Sequence, residues 1–236
     1  MNVDLVTCTD WQYRHWATTL FKTLDKSWRR KYIIAVGPGD WDSYGMRIGA
    51  NIINQQFAPG LDKVLYCQNV RMKHLYDLLQ NCDYLLQIDA DFRQNLPFNI
   101  YDFHKHSDTH QFWCKRKKGK IKERYQPKPT QVIWQNTDPR FHLNAGWCLY
   151  KNTEQNLKIL SEIQNEFNTN YDNTKNWDQL QLYKHYKSTG GSLVFKYVDE
   201  GVKKNYHATK GGFRTTSAWW HCKGLKKEYE KYWHSV

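Results

Sequence analysis

Asp83-Tyr-Leu-Leu-Gln-Ile-Asp-Ala-Asp91 is the segment that decides the fold, because an apolar run here ends in two carboxylates. Residues 84–88 are β-prone and apolar, which predicts a strand covered on both faces of a parallel sheet. Open α/β sheets bind ligands at the carboxyl ends of such strands. Side chains two residues apart in an extended chain point the same way, and carboxylate oxygens suit Mn²⁺ or Mg²⁺. Asp89 and Asp91 are therefore candidate metal ligands, and the alternative is a strand end with two solvated aspartates.

Strand and helix patterns alternate on both sides of this segment. Helical spacing of apolar residues occurs over 15–24 and 72–79, and after a capping sequence at 152–155. A polar turn is predicted at 7–10. Further strands are predicted over residues 3–8, 31–36, 63–67, 111–114, 141–150 and 192–198. This alternation predicts an α/β fold with a mainly parallel central sheet flanked by helices.

The length and composition predict one domain that binds a polyanion. The chain has 236 residues and no run of 18 apolar residues, and it begins without a basic or apolar leader. We therefore expect a cytoplasmic protein, or one of the host cytoplasm if the source is viral. Its six cysteines are scattered, which favours buried free thiols. A net charge of +12 favours nucleic acid or an acidic membrane surface as a partner.

A strongly basic segment lies in the middle of the chain. Residues 115–124 contain seven lysines and arginines in ten positions. Such a run is commonly a solvated hairpin or loop, and the alternative is an arm that contacts phosphates. The sequence leaves both interpretations open.

Four separated signals resemble one enzyme family. They are Asp89-Ala-Asp91, Asn144-Ala-Gly146, Asp178-Gln179 and His221-Cys-Lys-Gly224-Leu-Lys-Lys227. Together they resemble the GT-A glycosyltransferases, most closely the retaining family that includes bacterial lipopolysaccharide galactosyltransferases and glycogenin. The resemblance extends from Thr7 to Lys227. It implies a single Rossmann-like GT-A domain over 1–236, with a nucleotide-binding part at about 1–95 and a sugar and acceptor part at about 96–236.

The resemblance implies roles for residues at the donor site. The metal ligands would be Asp89, Asp91 and His221, with Mn²⁺ or Mg²⁺ bridging the two phosphates of a nucleotide diphosphate sugar and Asp89 also near the ribose. The base and ribose would meet Thr7, Thr9 and Asp10. Gly224 and Lys227 would meet the phosphates; Lys227 lacks the Pro-Trp that commonly follows it in the family, so Lys226 is an alternative. Lys73 would also reach the donor, or lie on a helix surface.

The same resemblance implies a sugar site and a stereochemical outcome. Asn144, Ala145 and Gly146 would contact the transferred sugar, and Asp178 would bind its hydroxyls. Gln179 would lie beside the anomeric carbon, opposite the leaving group. Transfer would retain the anomeric configuration through an oxocarbenium-like front-face substitution, because no nucleophilic carboxylate is evident beside Gln179.

The acceptor is inferred from charge. Some phage-encoded GT-A enzymes glycosylate DNA, and the basic charge favours 5-hydroxymethylpyrimidine in DNA, such as hydroxymethylcytosine, with UDP-glucose as the model donor. The acceptor contacts would be Lys115, Arg116, Lys117, Lys118 and Lys120. One alternative is a cytosolic transferase acting on lipopolysaccharide or another glycan, with a basic face on the membrane. A second alternative is a non-catalytic nucleic-acid-binding protein.

Overall fold

A central sheet of seven strands organises the chain. The computed structural model describes residues 1–57, 60–105, 112–116, 143–171, 177–178, 181, 195–197, 207–209 and 218–221. The strands are β1 Val3–Asp10, β2 Arg30–Val36, β3 Asn51–Gln55, β4 Tyr84–Ile88, β5 Phe92–Gln94, β6 Phe112–Arg116, β7 Leu143–Lys151, β8 Phe195–Tyr197, β9 His207–Thr209 and β10 Trp219–His221. The helices are α1 Arg14–Thr23, α2 Trp41–Ile48, α3 Lys63–Asn69, α4 Arg71–Leu79, α5 Tyr101–His104 and α6 Glu154–Asn170.

The large sheet has the order β3-β2-β1-β4-β7-β6-β8. Its first four strands are parallel, β7 is antiparallel to both β4 and β6, and β8 is parallel to β6. This arrangement confirms the predicted α/β fold with a mainly parallel sheet. A second sheet of three short strands, β5-β10-β9, follows the end of β4.

Both faces of the large sheet are buried, as the apolar strands require. One face packs against α3, α4 and α6, which contribute Tyr66, Met72, Leu75, Ile163 and Phe167 to a single core cluster. The other face packs against α1 and α2 and reaches the small sheet through Trp219. All five residues of β4 are buried. The strand β4 is therefore fixed on both sides, and so is the position of Asp89, which directly follows it.

The segment 63–67, predicted as a strand, is the helix α3. The prediction was wrong because it weighted the apolar residues and missed the helix start: the Asp62 carboxylate accepts from the N–H groups of Val64 and Leu65. The third parallel strand is instead β3, whose Asn51 and Asn54 weaken the apolar signal. The polar turn predicted at 7–10 is also wrong, because β1 stays paired with β2 as far as Asp10.

Two other features agree with the sequence. Thr153 caps α6, since its hydroxyl accepts from the Asn156 N–H, within the segment predicted to open that helix. Cys8, Cys67, Cys82 and Cys148 are free thiols, of which Cys82 and Cys148 are buried and the other two half-buried, and burial raises the pKa of Cys82 to about 12. Among the described residues, no helix is long and apolar enough to cross a bilayer.

Candidate metal and sugar-nucleotide site

Three candidate metal-ligand side chains meet at the carboxyl edge of the large sheet. Asp89 follows β4, Asp91 precedes β5, and His221 ends β10. The His221 Nε2 lies 3.1 Å from an Asp91 oxygen and 3.6 Å from an Asp89 oxygen. Side-chain exposure is 2% for His221, 15% for Asp91 and 28% for Asp89. The imidazole is thus at the bottom of the cluster, and the carboxylates line its open side.

The arrangement of these atoms fits a divalent cation. One ligand atom from each residue lies within 4.8 Å of the others. Mg²⁺ takes octahedral ligands at about 2.1 Å, which places neighbouring ligand atoms about 3 Å apart. An Nε2 lone pair that faced two carboxylates alone would be repelled, so this atom carries a proton or shares a cation with them. Two carboxylate oxygens and one imidazole nitrogen are a donor set that Mn²⁺ accepts.

The orientation of His221 is set by stacking and by the strand. Its ring stacks on Phe92, with centroids 4.1 Å apart and planes at 17°, and its backbone pairs with Phe92 across β10 and β5. The other ring nitrogen, Nδ1, is buried and has no hydrogen-bond partner in the described part of the chain. Metal-bound histidines usually donate this second N–H to a partner. Here the described contacts that hold the ring are the stacked phenyl group and the ladder.

Arg71, at the start of α4, joins the metal cluster to Asp178. Its guanidinium donates to an Asp89 oxygen through Nη1 and to an Asp178 oxygen 2.7 Å from Nη2. Only 6% of the Arg71 side chain and 3% of the Asp178 side chain are exposed. Burial opposes the charge of Arg71, but Asp89 and Asp178 outweigh it and raise the pKa of the guanidinium. The structure thus brings Asp178 beside the Asp-x-Asp carboxylates, although 86 residues and more separate them in sequence.

Arg71 was not predicted from the sequence, which indicated Lys73 two residues later in the same helix; the role of Lys73 stays a prediction. Gln164 of α6 donates to the Lys73 carbonyl, so this residue lies on the side of α4 that faces α6. Arg71 lies in the buried stripe of α4 with Leu75 and Leu78. A charged residue inside an apolar helical stripe is the signal that could have identified it, because arginine is rarely buried without a partner.

The candidate nucleotide residues lie at the end of β1, next to β4. Thr7 and Thr9 are 1% and 3% exposed, and the Thr7 hydroxyl has no hydrogen-bond partner among the described residues. Asp10 is also buried; one oxygen accepts from the Tyr13 N–H at 2.8 Å and the other lies 3.1 Å from the Lys63 ammonium group. The Asp10 carboxylate is therefore already paired, and the side chain of Lys63 beside it is 40% exposed.

The segment Asn144-Ala-Gly146 lies in β7, which pairs with β4. The Gly146 carbonyl accepts from the Asp89 N–H at 2.9 Å, and the Ala145 carbonyl accepts from the Gln87 side chain. The register with β6 shifts between Cys114 and Lys115, so that Lys115 lies opposite Asn144. The backbone of this segment thus adjoins the metal cluster, as a role in sugar binding would require.

The remaining predicted residues are only partly placed. Lys115 and Arg116 are the last two residues of β6. Gln179, Gly224 and Lys227, together with Lys117, Lys118 and Lys120, lie outside the described residues. Their roles stay predictions.

Solved structures with a similar fold are glycosyltransferases. One, involved in the glycosylation of the major capsid of PBCV-1, has a TM-score of 0.58 and 10% identity, over 99% of each chain. The galactosyltransferase LgtC, in complex with donor and acceptor sugar analogs, has a TM-score of 0.57 and 15% identity, over 96% of this chain and 89% of its own. Mouse xyloside xylosyltransferase 1, in its apo form, has a TM-score of 0.56 and 10% identity, over 95% and 99%.

No protein-family model and no curated protein matches the sequence. At identities this low, the structural similarity establishes the fold. The chain has the GT-A glycosyltransferase fold over nearly its whole length.

Proposed function

We propose that this chain is a metal-dependent glycosyltransferase that moves a hexose from a nucleotide diphosphate sugar to an acceptor hydroxyl with retention. The observation that carries the proposal is the convergence of Asp89, Asp91 and His221 at the carboxyl edge of a GT-A sheet. Structural similarity to glycosyltransferases supports the same reaction class. We expect Mn²⁺ or Mg²⁺ as the cofactor.

The chemistry of the site is electrostatic. A departing nucleoside diphosphate gains negative charge, and a divalent cation, when bound, supplies positive charge there. The protein holds Asp89 in place through Arg71, which leaves the second Asp89 oxygen, facing His221, as the candidate ligand atom. Gly224 and Lys227, or Lys226, are proposed to meet the same phosphates.

The sugar is proposed to lie over Asp178, Gln179 and Asn144. Arg71 holds the Asp178 carboxylate beside the candidate metal site, where this carboxylate is proposed to bind sugar hydroxyls. Gln179 is proposed to lie beside the anomeric carbon, on the face opposite the leaving group. An amide at that position is a weak nucleophile, which favours front-face retention over a covalent intermediate. UDP-glucose is our model donor, and the nucleotide part is proposed to occupy the end of β1, near Asp10.

We propose 5-hydroxymethylpyrimidine in DNA as the acceptor. The net charge of +12 supports a polyanionic acceptor. The basic run begins at Lys115 and Arg116, and Lys115 pairs with Asn144 in the ladder beside the metal cluster. A phosphate-binding arm that starts there would hold DNA at the proposed sugar site.

A glycan acceptor is the second candidate. The observation that favours it is the fold similarity to LgtC, a galactosyltransferase solved with an acceptor sugar analog. The third reading, a non-catalytic nucleic-acid-binding protein, does not account for four acidic and basic groups, Asp89, Asp91, Asp178 and Arg71, held together at one edge of the sheet.

Donor hydrolysis tests the reaction class, and mass spectrometry tests the acceptor. The parent protein and the Asp91→Asn variant are incubated with UDP-glucose and Mn²⁺ and no acceptor; we expect slow release of glucose by the parent alone. Equal release by both proteins would reject the metal site. A panel of nucleotide sugars is then offered with hydroxymethylcytosine DNA and with lipopolysaccharide. A mass increase of one hexose on DNA would support the DNA acceptor. An increase on lipopolysaccharide alone would reject DNA and favour the glycan acceptor.

A further inference from the structure

We infer that Gln94 is a positioning residue that fixes His221 for metal binding. The inference rests on the proposed metal site. It concerns the three-residue ladder of β5 and β10, in which Gln94 pairs with Trp219 at one end and Phe92 pairs with His221 at the other. Asp91 directly precedes β5. Two of the three candidate ligands are therefore attached to the metal end of this ladder.

The metal end of the ladder is attached to Asp89 by a backbone hydrogen bond, in which the Phe92 N–H donates to the Asp89 carbonyl at 3.2 Å, and to β9, where His221 lies opposite Thr209. The Nδ1 of His221 has no hydrogen-bond partner among the residues that the structure describes. The Phe92 ring stacks on the imidazole, but Phe92 itself belongs to the same ladder. A displacement of β5 would therefore carry both Asp91 and the ring that supports His221, and it would strain the hydrogen bond from Phe92 to Asp89, whose own N–H is bound to Gly146 of β7.

The opposite end is fixed by the Gln94 side chain, which is 5% exposed. Its oxygen accepts from the Trp28 indole at 3.1 Å, and its nitrogen donates to Asp25 at 2.7 Å and to the Leu96 carbonyl at 2.9 Å. Its backbone N–H donates to the Thr23 hydroxyl at 3.2 Å. The Asp25 N–H also donates to the amide oxygen at 3.4 Å, so every hydrogen-bonding position of this amide is used within the protein.

Asp25 extends this anchor to the segment after β5. The Asp25 oxygen that accepts from Gln94 also accepts from the Phe98 N–H at 2.7 Å, and the other Asp25 oxygen accepts from the Ser27 N–H at 2.8 Å. Burial raises the pKa of Asp25, but hydrogen bonds from Ser27, Phe98 and Gln94 outweigh it, so the carboxyl group has a lowered pKa. A charged acceptor strengthens the bond from Gln94.

Asp89 and the β5 and β10 ladder are held by different parts of the protein, and Gln94 acts on the ladder only. Asp89 is held by the large sheet, through the Gly146 carbonyl and Arg71. The β5 and β10 ladder is held by the end of α1 and the segment that joins it to β2, through Thr23, Asp25 and Trp28. Gln94 makes hydrogen bonds to all three residues, and Trp28 also packs against Trp219 with ring centroids 6.0 Å apart. Removing the Gln94 amide leaves the Trp28 N–H without its described acceptor, takes one of two donors from an Asp25 oxygen that keeps the Phe98 N–H, and loosens the ladder relative to Asp89.

The test measures Mn²⁺ affinity rather than activity. Free Mn²⁺ is quantified by electron paramagnetic resonance in titrations of the parent, Gln94→Met and Thr23→Val. We expect the dissociation constant to rise at least tenfold for Gln94→Met, as for partners that orient metal ligands, and severalfold for Thr23→Val. Thr23→Val keeps the shape of the side chain, so it carries the test if Gln94→Met does not fold.

The matched control is Asn152→Ala. Asn152 is another amide that donates to two carbonyls, those of Leu79 and Cys82, but it lies beyond the opposite end of β4, about 17 Å from Asp89 at the rise of a strand. At a comparable loss of thermal stability, we expect its Mn²⁺ affinity to stay within twofold of the parent. An equal loss of Mn²⁺ affinity in Asn152→Ala, or no loss in either Gln94→Met or Thr23→Val, would overturn this inference and leave the proposed metal site standing. No Asp91-dependent Mn²⁺ binding by the parent would reject the metal site and the inference with it.

Discussion

Replacing Arg71 with methionine is the most direct test of how the site is built. Methionine fills a similar volume and removes the charge, which leaves the Asp178 carboxylate buried without its cation. Removing one partner of a buried ion pair typically destabilises a protein by about 3–5 kcal/mol. Because Asp89 is 28% exposed and keeps water contacts, we expect the lower end of that range, about 3 kcal/mol.

A loss of this size is measurable by thermal and urea denaturation. For a chain of this length it corresponds to a fall in melting temperature of about 6–12 °C. The control is the double variant Arg71→Met/Asp178→Asn, which removes the buried charge together with its partner. We expect it to be more stable than Arg71→Met alone by about 2 kcal/mol, because the two changes are not additive for residues in contact.

Arg71→Lys separates charge from geometry. A single ammonium group cannot donate to both carboxylates as the planar guanidinium does. We expect Arg71→Lys to recover part of the stability while donor hydrolysis stays at least tenfold below that of the parent, since Asp89 and Asp178 would no longer be held together. Additive stability effects in the double variant, with donor hydrolysis unchanged in Arg71→Met, would refute the reasoning.

Four further predictions concern the metal, the stereochemistry, the acceptor and the pH dependence. Asp91→Asn or His221→Ala should remove most donor hydrolysis with an unchanged circular dichroism spectrum, and full turnover in EDTA would contradict the metal assignment. The product should keep the donor's anomeric configuration, and an inverted NMR coupling constant would exclude the retaining mechanism. Replacing Lys117, Lys118 and Lys120 with alanine should reduce the salt dependence of DNA binding, because each phosphate contact contributes about −0.9 to the slope of log K against log salt concentration. The same variant should keep the donor hydrolysis of the parent. Finally, burial and the nearby Lys73 lower the pKa of His74 to about 4. The unfolded chain binds this proton below about pH 6.5, whereas the folded chain does so only near pH 4. The free energy of unfolding should therefore be highest above pH 6.5 and fall as the pH drops towards 4. In urea titrations, this fall should be smaller in His74→Gln than in the parent by about 2 kcal/mol.

The sheet and its central strand could be predicted because their signals are local. Tyr84 to Ile88 is an apolar run that ends in carboxylates, and an apolar strand of that kind is buried wherever it lies. The segment 63–67 shows the limit of the same reasoning. Its apolar residues suit a strand or a helix, and Asp62, which caps a helix through two backbone N–H groups, decides between them.

The site was predictable where each residue has a motif of its own. Asp89 and Asp91 follow an apolar strand, and His221 precedes a glycine and a lysine at a recognisable spacing. Arg71 and Gln94 have no such motif, because their roles depend on which residues the fold places beside them. Arg71 meets an aspartate more than 100 residues away, and Gln94 meets a tryptophan 66 residues away. Neither pairing can be predicted from a single sequence.

The candidate metal site combines two supports that the chain builds separately, and this division has a consequence for its chemistry. Asp89 directly follows β4 of the large sheet, which is buried on both faces, whereas Asp91 directly precedes β5 and His221 ends β10 of the small sheet; the Phe92 N–H, which donates to the Asp89 carbonyl, is a described link between the two. A cation shared among them would join the ladder to the sheet, since it would bind ligands from both. Metal binding should therefore protect the backbone amides of Phe92 and Trp220 from hydrogen exchange far more than those of Leu85 and Leu86. Equal protection of both sets, or of neither, would show that the ladder is as firmly fixed as the sheet before the cation binds.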